Sequence, residues 1–126
     1  MRYLEKKDLL AIHREIEEKY GIEDTILHPS NLDAAVETPK MHLFGEELYP
    51  SVTKKAAVLM SRVCKFHPFL NGNNRTAFTS ASMFLELNGR KLKESDEGVK
   101  LCRETSQCNI DVEELDKWFK VHSRRY

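Results

Sequence analysis

The chain predicts an all-α fold of about six helices, and three observations carry that prediction. Apolar side chains recur at spacings of three and four through most of the sequence. Residues that start and stop helices bracket those segments. The period-two alternation of strands is nearly absent. A length of 126 residues favours one compact domain, 1–126, around one core, and no repeat, linker or low-complexity segment divides it.

Taken in order, Leu9, Ile12, Ile16 and Tyr20 line one face of a first helix, which Gly21 can close by accepting a left-handed conformation. Ser30 is the predicted N-cap of a short second helix, Asn31 to about Thr38, stopped by Pro39. From Pro39 to Pro50 neither period holds. Two prolines bracket a glycine there, so a loop or short hairpin carrying Met41, Leu43, Phe44 and Leu48 is expected. A third helix runs from about Val52 to Phe66 with Val52, Ala56, Leu59, Met60 and Val63 inward. It must end near His67, because Pro68 disfavours the α conformation in the residue before it.

The fourth helix begins near Asn73 or Asn74, places Ala77, Ala81, Phe84 and Leu85 on one face, and closes at Asn88-Gly89. Small residues crowd its first half, which suits a central helix approached on several sides. Ser95 can cap a fifth helix, about Asp96 to Ser106, against which Gly98 argues. The last helix has Asp111 and Glu114 at capping-box spacing, flanked by Ile110 and Leu115 as a hydrophobic staple. Val112, Leu115, Trp118 and Phe119 then face inward.

Hydrophobic residues at 40% and charged residues at 32% are ordinary for a soluble globular chain. Twenty basic and twenty acidic residues cancel, so no global field recruits nucleic acid or a membrane surface. Only Arg124-Arg125 hints at a basic tail. No apolar run approaches a span of about 20 residues, and Met1 to Glu5 opens no signal-peptide core, so the cytoplasm is the default compartment. Cys64, Cys102 and Cys108 show no C-x-x-C spacing and read as thiols in a reducing compartment, not as a disulfide framework or zinc site.

Chemistry concentrates in His67-Pro68-Phe69-Leu70-Asn71-Gly72-Asn73-Asn74-Arg75. An imidazole can take up a proton near neutral pH, which makes His67 a candidate general base. The turn after it opens into a helix whose first N–H groups have no partner within the helix, and such an N-terminus attracts phosphate. Asn71 and Gly72 tolerate positive φ, so Gly72, Asn73 and Asn74 can turn successive amides toward one anion. Arg75, a cation in the first helical turn, opposes the helix dipole, and a forked donor aimed at phosphate oxygens would explain it. Read singly, each residue has an ordinary meaning. His67 can be a surface or capping histidine, Phe69 core, the Asn/Gly run a helix-capping turn, and Arg75 a surface charge paired with an acid. Together within nine residues they favour a base beside a phosphate cradle. His13, His28, His42 and His122 share no spacing and are read as ordinary histidines.

The same nine residues resemble the Fic/Doc motif, whose adenylylating branch reads H-P-F-x-[D/E]-G-N-G-R and whose Doc (death-on-curing) branch reads H-x-F-x-D-x-N-K-R. The continuation Arg75 to Ala81, then Phe84-Leu85 and Asn88-Gly89, is similar to Doc toxins, as is the opening helix ending Lys19-Tyr20-Gly21. This resemblance covers essentially the whole chain and implies a compact helical fold with the 39–50 segment as a flap. It implies that ATP and Mg²⁺ are bound and that a phosphoryl group, or alternatively AMP, passes to a hydroxyl of a target protein. By likeness to Doc the target would be a translation factor such as elongation factor Tu. His67 would be the base, Phe69 the loop anchor, and Gly72, Asn73, Asn74 and Arg75 the phosphate-binding residues. Asn71 stands where the family usually has a metal-binding acid, so metal affinity should fall. Asn74 stands where one branch has Gly and the other Lys, at a position implied to orient ATP. The family's self-inhibitory pattern [S/T]-x-x-x-E-[G/N] is missing, since Lys93 precedes Glu97-Gly98 at that distance. An antitoxin supplied in trans is the implied control. A catalytically degenerate binding module is the remaining alternative.

Overall fold

The first helix, α1 (Lys6–Tyr20), buries Leu9, Ile12, His13 and Ile16. Asp8 caps it, accepting from the Glu5 N–H at 2.7 Å, and Gly21 ends it in the left-handed conformation with its N–H on Glu17 O. The computed structural model describes residues 1–21, 26–93, 97–106 and 111–126, the side chains of Glu97, Val99, Cys102, Thr105 and Ser106 excepted. Helix α2 (Pro29–Glu37) starts earlier than Ser30 predicts, because Pro29 occupies its first turn, where a preset φ and a missing N–H are no disadvantage. Pro39 ends it as expected, in a short 3-10 turn, Thr38–Lys40.

The 39–50 segment is a hairpin. β1 (His42–Leu43) pairs antiparallel with β2 (Glu46–Glu47), His42 opposite Glu47 and Leu43 opposite Glu46. Helix α3 (Val52–Phe66) matches the predicted span and is capped by Ser51 Oγ, which accepts from Lys54 N at 3.1 Å. Helix α4 (Asn73–Leu87) follows, buried along Thr76, Ala77, Ser80, Ala81, Phe84 and Leu85. Its small residues do admit close neighbours, α1, α3 and α5. The most enclosed element is nevertheless α3, buried at nearly every position from Lys55 to Cys64 and packed on α2, α4, α5 and α6.

After α4 the chain forms β3 (Arg90–Leu92), then α5 (Glu97–Ser106) and α6 (Val112–His122), capped by Asp111 accepting from Glu114 N at 2.9 Å. The predicted cap Ser95 and the staple residue Ile110 lie outside the described residues. β4 (Ser123–Arg125) returns to pair with β3, a pairing the sequence did not announce, since three-residue charged strands show no periodicity. Among the described residues the architecture is six α-helices with two short antiparallel pairs, the all-α class expected. The core runs through Leu9, Leu32, Ala56, Leu59, Met60, Val63, Phe69, Ala77, Ala81, Phe84, Leu115 and Phe119. Among the described residues no helix is long and apolar enough to cross a membrane.

Candidate active site

The loop between α3 and α4 is built from its backbone outward. Pro68 ends α3 at Phe66, and His67 escapes the resulting clash by a left-handed conformation, φ 42° and ψ 65°, instead of an extended one. Histidine is among the side chains that visit this region, and such positions cluster at functional sites. Residues just ahead of α2 and in its first turn hold the loop. Leu27 and His28 N–H donate to Pro68 O at 2.9 and 3.1 Å, and Asn31 Nδ2 donates to Phe66 O at 2.8 Å. Phe69 is fully buried. The Asn73 side chain clasps its backbone, accepting from Phe69 N at 3.1 Å and donating to Phe69 O at 2.8 Å.

Beneath the loop lies His13 of α1, fully buried. Its ring stacks on Phe69 with centroids 3.8 Å apart and planes within 4°. Its Nε2 donates to the carbonyl of Asn71 at 2.7 Å, a pairing that requires the Nε2–H tautomer or the cation. One imidazole therefore fixes both the anchor ring and the turn above it.

The turn opens on a cleft of about 430 Å³ lined by Ile16, Tyr20, His67, Leu70, Asn71, Gly72, Asn73, Asn74, Arg75 and Arg103. Gly72 is left-handed at φ 75°, and the first intrahelical bond of α4 runs from Thr76 N to Gly72 O at 2.9 Å. The amides of Asn73, Asn74 and Arg75 thus lie ahead of the helical ladder, at the positive pole of α4. The Arg75 guanidinium sits 4.0 Å from the centre of the Tyr20 ring. It lies over an aromatic face, and among the described residues no acid is paired with it; a guanidinium held this way keeps in-plane N–H groups for an anion.

Six of the predicted residues, His67, Asn71, Gly72, Asn73, Asn74 and Arg75, share this one cleft. Phe69 lies under it. Asn73 is half of a clasp, so its side chain is committed to Phe69. Three contributors had no mark in the motif: His13, Tyr20 and Arg103. His13 did carry a signal, because it sits on the Leu9–Ile12–Ile16 stripe, where a polar group must find a partner. Arg103 reaches the cleft from α5, and nothing local singles it out. No carboxylate lines the described cleft, and among the described residues no three His, Cys, Asp or Glu gather as a metal site.

A model of the Fic/DOC family matches residues 3–85. The chain is 32% identical over 114 residues to "Toxin Doc" of Mycolicibacterium smegmatis, covering 86% of this chain and 85% of that protein. It is 28% identical over 97 residues to "Protein kinase doc" of Escherichia phage P1, covering 77% and 76%. The matched region contains the motif loop, its His13 support and most of α4. With the motif seated at the open end of α4 and the match extending over most of the chain, this protein belongs to the Fic/DOC family.

Proposed function

We propose that this chain is a Doc-type toxin that moves a phosphoryl group from ATP to a hydroxyl of a target protein, with 1–126 acting as one catalytic domain. The observation that carries the reading is that His67, the open amides of α4 and Arg75 line one cleft. In this mechanism the His67 imidazole accepts the hydroxyl proton as the oxygen attacks the γ-phosphorus. The bond to the β,γ-bridging oxygen breaks and ADP departs. The amides of Gly72 to Arg75, with Arg75 and Arg103, hold the phosphate charge at the dipole's positive end. Mg²⁺ would arrive with the nucleotide. The described cleft offers it the Asn71 amide oxygen and no carboxylate, so no step is routed through the metal.

The hairpin supplies a second element of the reading. Met41, Leu43, Phe44 and Leu48 are all exposed on it, and a two-stranded ribbon has edges that an extended target segment can pair with. The target would be a translation factor such as elongation factor Tu, and the brake an antitoxin supplied in trans in the cytoplasm. The names of the two relatives, a Doc toxin and a protein kinase doc, support this direction.

The test is transfer of label to protein in a cell lysate from ATP labelled at the α or the γ phosphate. Label from the γ position alone is expected; label from the α position alone means adenylylation instead. His67→Ala should abolish transfer, and its survival would remove His67 as the base. The missing carboxylate favours one rival, an attenuated or purely binding Fic-fold module. Asn71→Asp tests it: a large gain in ATP turnover identifies a weakened site, whereas unchanged, measurable transfer by the parent protein dismisses the rival.

A further inference from the structure

The zero net charge conceals a segregation at the far end of α4. Across the β3–β4 ladder Arg90 stands opposite Arg125 and Lys91 opposite Arg124. Like charges directly opposite each other destabilise a strand pair. Two consecutive cationic pairs are therefore unfavourable unless an anion lies against them. Alternation sends Arg90 and Arg125 to one face of the ribbon and Lys91 and Arg124 to the other. Exposed cations along a ribbon edge are a common guard against pairing, and that accounts for Lys91 and Arg124.

Arg90 and Arg125 are placed differently. They line a cavity of about 400 Å³ together with Lys120, Ser51 and Thr53, between the ribbon, the last turn of α6 and the start of α3. Arg90 is held in position: its Nε donates to Ser123 Oγ at 2.9 Å, and its Nη2 to Ser123 O at 3.3 Å and Lys120 O at 3.4 Å. Lys120 pairs with Asp116 at 3.4 Å. Among the described residues neither Arg90 nor Arg125 has a carboxylate partner. The 15 residues of α4 separate this cavity from Gly72–Arg75 by roughly 22 Å at 1.5 Å per residue.

We propose that this cavity binds the phosphate group of a small anion, with Arg90, Lys120 and Arg125 as its ligands. A fixed guanidinium beside two exposed cations suits a doubly charged tetrahedral group, and the volume limits the occupant to about the size of a nucleotide. The site is independent of the catalytic reading.

The experiment is calorimetric titration of the intact protein with pyrophosphate at low ionic strength, with amide shifts followed by NMR. Binding is expected with shifts at Ser51 to Thr53 and Arg90 to Leu92. Arg125→Glu should weaken it at least about tenfold, an effect of about 1.4 kcal/mol or more. The same substitution should raise the Tm without pyrophosphate, because Arg90 then faces a carboxylate. Lys7→Glu makes the same charge change at an exposed site on α1 and should leave affinity unchanged. An equal loss in Lys7→Glu, no loss or no rise in Tm in Arg125→Glu, or shifts confined to Gly72 to Arg75 would overturn the proposal. So would tighter binding of a short oligonucleotide than of pyrophosphate at equal phosphate concentration. ADP run in parallel identifies the source of the group: a tighter fit with shifts at this face assigns it to a nucleotide, and equal affinity assigns it to free phosphate.

Discussion

Arg75 and Tyr20 show how a side chain in the motif depends on one outside it. A guanidinium in the first turn of α4 is repelled by the helix dipole, yet it is seated on an aromatic face at the end of α1. Tyr20 is about half exposed, so the ring contributes little to the core. Tyr20→Leu should therefore leave the Tm nearly unchanged while the KM for ATP rises roughly two- to fivefold, the effect of losing an exposed cation–π contact. An unchanged KM would mean that Tyr20 does not position Arg75 for the nucleotide. At this scale the sequence was legible wherever the chemistry is local. His67, Gly72 and Arg75 announce themselves within nine residues. The support for them does not, because His13 meets Asn71 across 58 positions and Arg103 arrives from another helix. Asn73 was legible as a residue at the start of α4 whose amide could turn toward an anion; the clasp its side chain makes on Phe69 was not, because nothing in the sequence pairs the two.

The hairpin is the element whose stability rests on a residue elsewhere. Lys55, fully buried on α3, sends its ammonium to Pro39 O at 3.2 Å, to Glu47 Oε1 at 3.0 Å and to Tyr49 O. Lys55 had no place in the sequence reading of this helix, whose inward face was given as Val52, Ala56, Leu59, Met60 and Val63; it is the tie that joins hairpin to core. Lys55→Met should cost about 1–3 kcal/mol for each carbonyl left without a donor, and expose 42–47 to early proteolytic cutting. The Lys55 hydrogen bond and charge hold the Glu47 carboxyl below its ordinary value of 4.5. Its stabilising contribution is present above that value and is lost as pH falls through the lowered one. Protection of the Leu48 amide, which is bonded to Met41 O, should drop below about pH 4.5 in the native protein. In Lys55→Met that dependence should vanish; its persistence would exclude the Lys55–Glu47 link as the cause. At the tip, Phe44 is 97% exposed with φ 52°, followed by Gly45 at φ 82°. A bulky residue there costs about 1–2 kcal/mol in the left-handed region, and an exposed ring gives nothing back to folding. Phe44→Asn produces the turn pair most favoured in two-residue hairpins and should raise the Tm. If the ring meets the target, protein labelling falls while ATP binding is unchanged; undiminished labelling would reduce Phe44 to a surface residue.

For the molecule as a whole, helix spans were the most legible feature, since α3 and the cap of α6 follow from periodicity and Asp111. Which helix lies at the centre was less so. Small residues marked α4, whereas α3 is enclosed because α2, α5 and α6 close on it, and packing partners leave no local trace. Gly98 joins both lessons. It counted against a fifth helix on propensity, yet α5 forms through it, and the reason is an inter-helix distance. A methyl group there would stand 2.2 Å from Cζ and 2.3 Å from Cε2 of Phe78 on α4. That ring is itself set edge-on to Trp118 of α6, with centroids 6.3 Å apart, and cannot simply withdraw. Gly98→Ala would gain about 1 kcal/mol of helix propensity and lose about 1–3 kcal/mol to overpacking, so the protein should be less stable, contrary to the usual effect of this substitution in a helix. The strain has a direction. It pushes α5 away from α4 and carries Arg103, five positions along the same helix, out of the cleft. Denaturant midpoint and KM for ATP should therefore worsen together in Gly98→Ala, while Arg103→Gln should raise the KM with the midpoint unchanged. A Gly98→Ala protein that unfolds earlier but binds ATP normally would show that α5 supports the fold alone and that Arg103 does not serve the nucleotide.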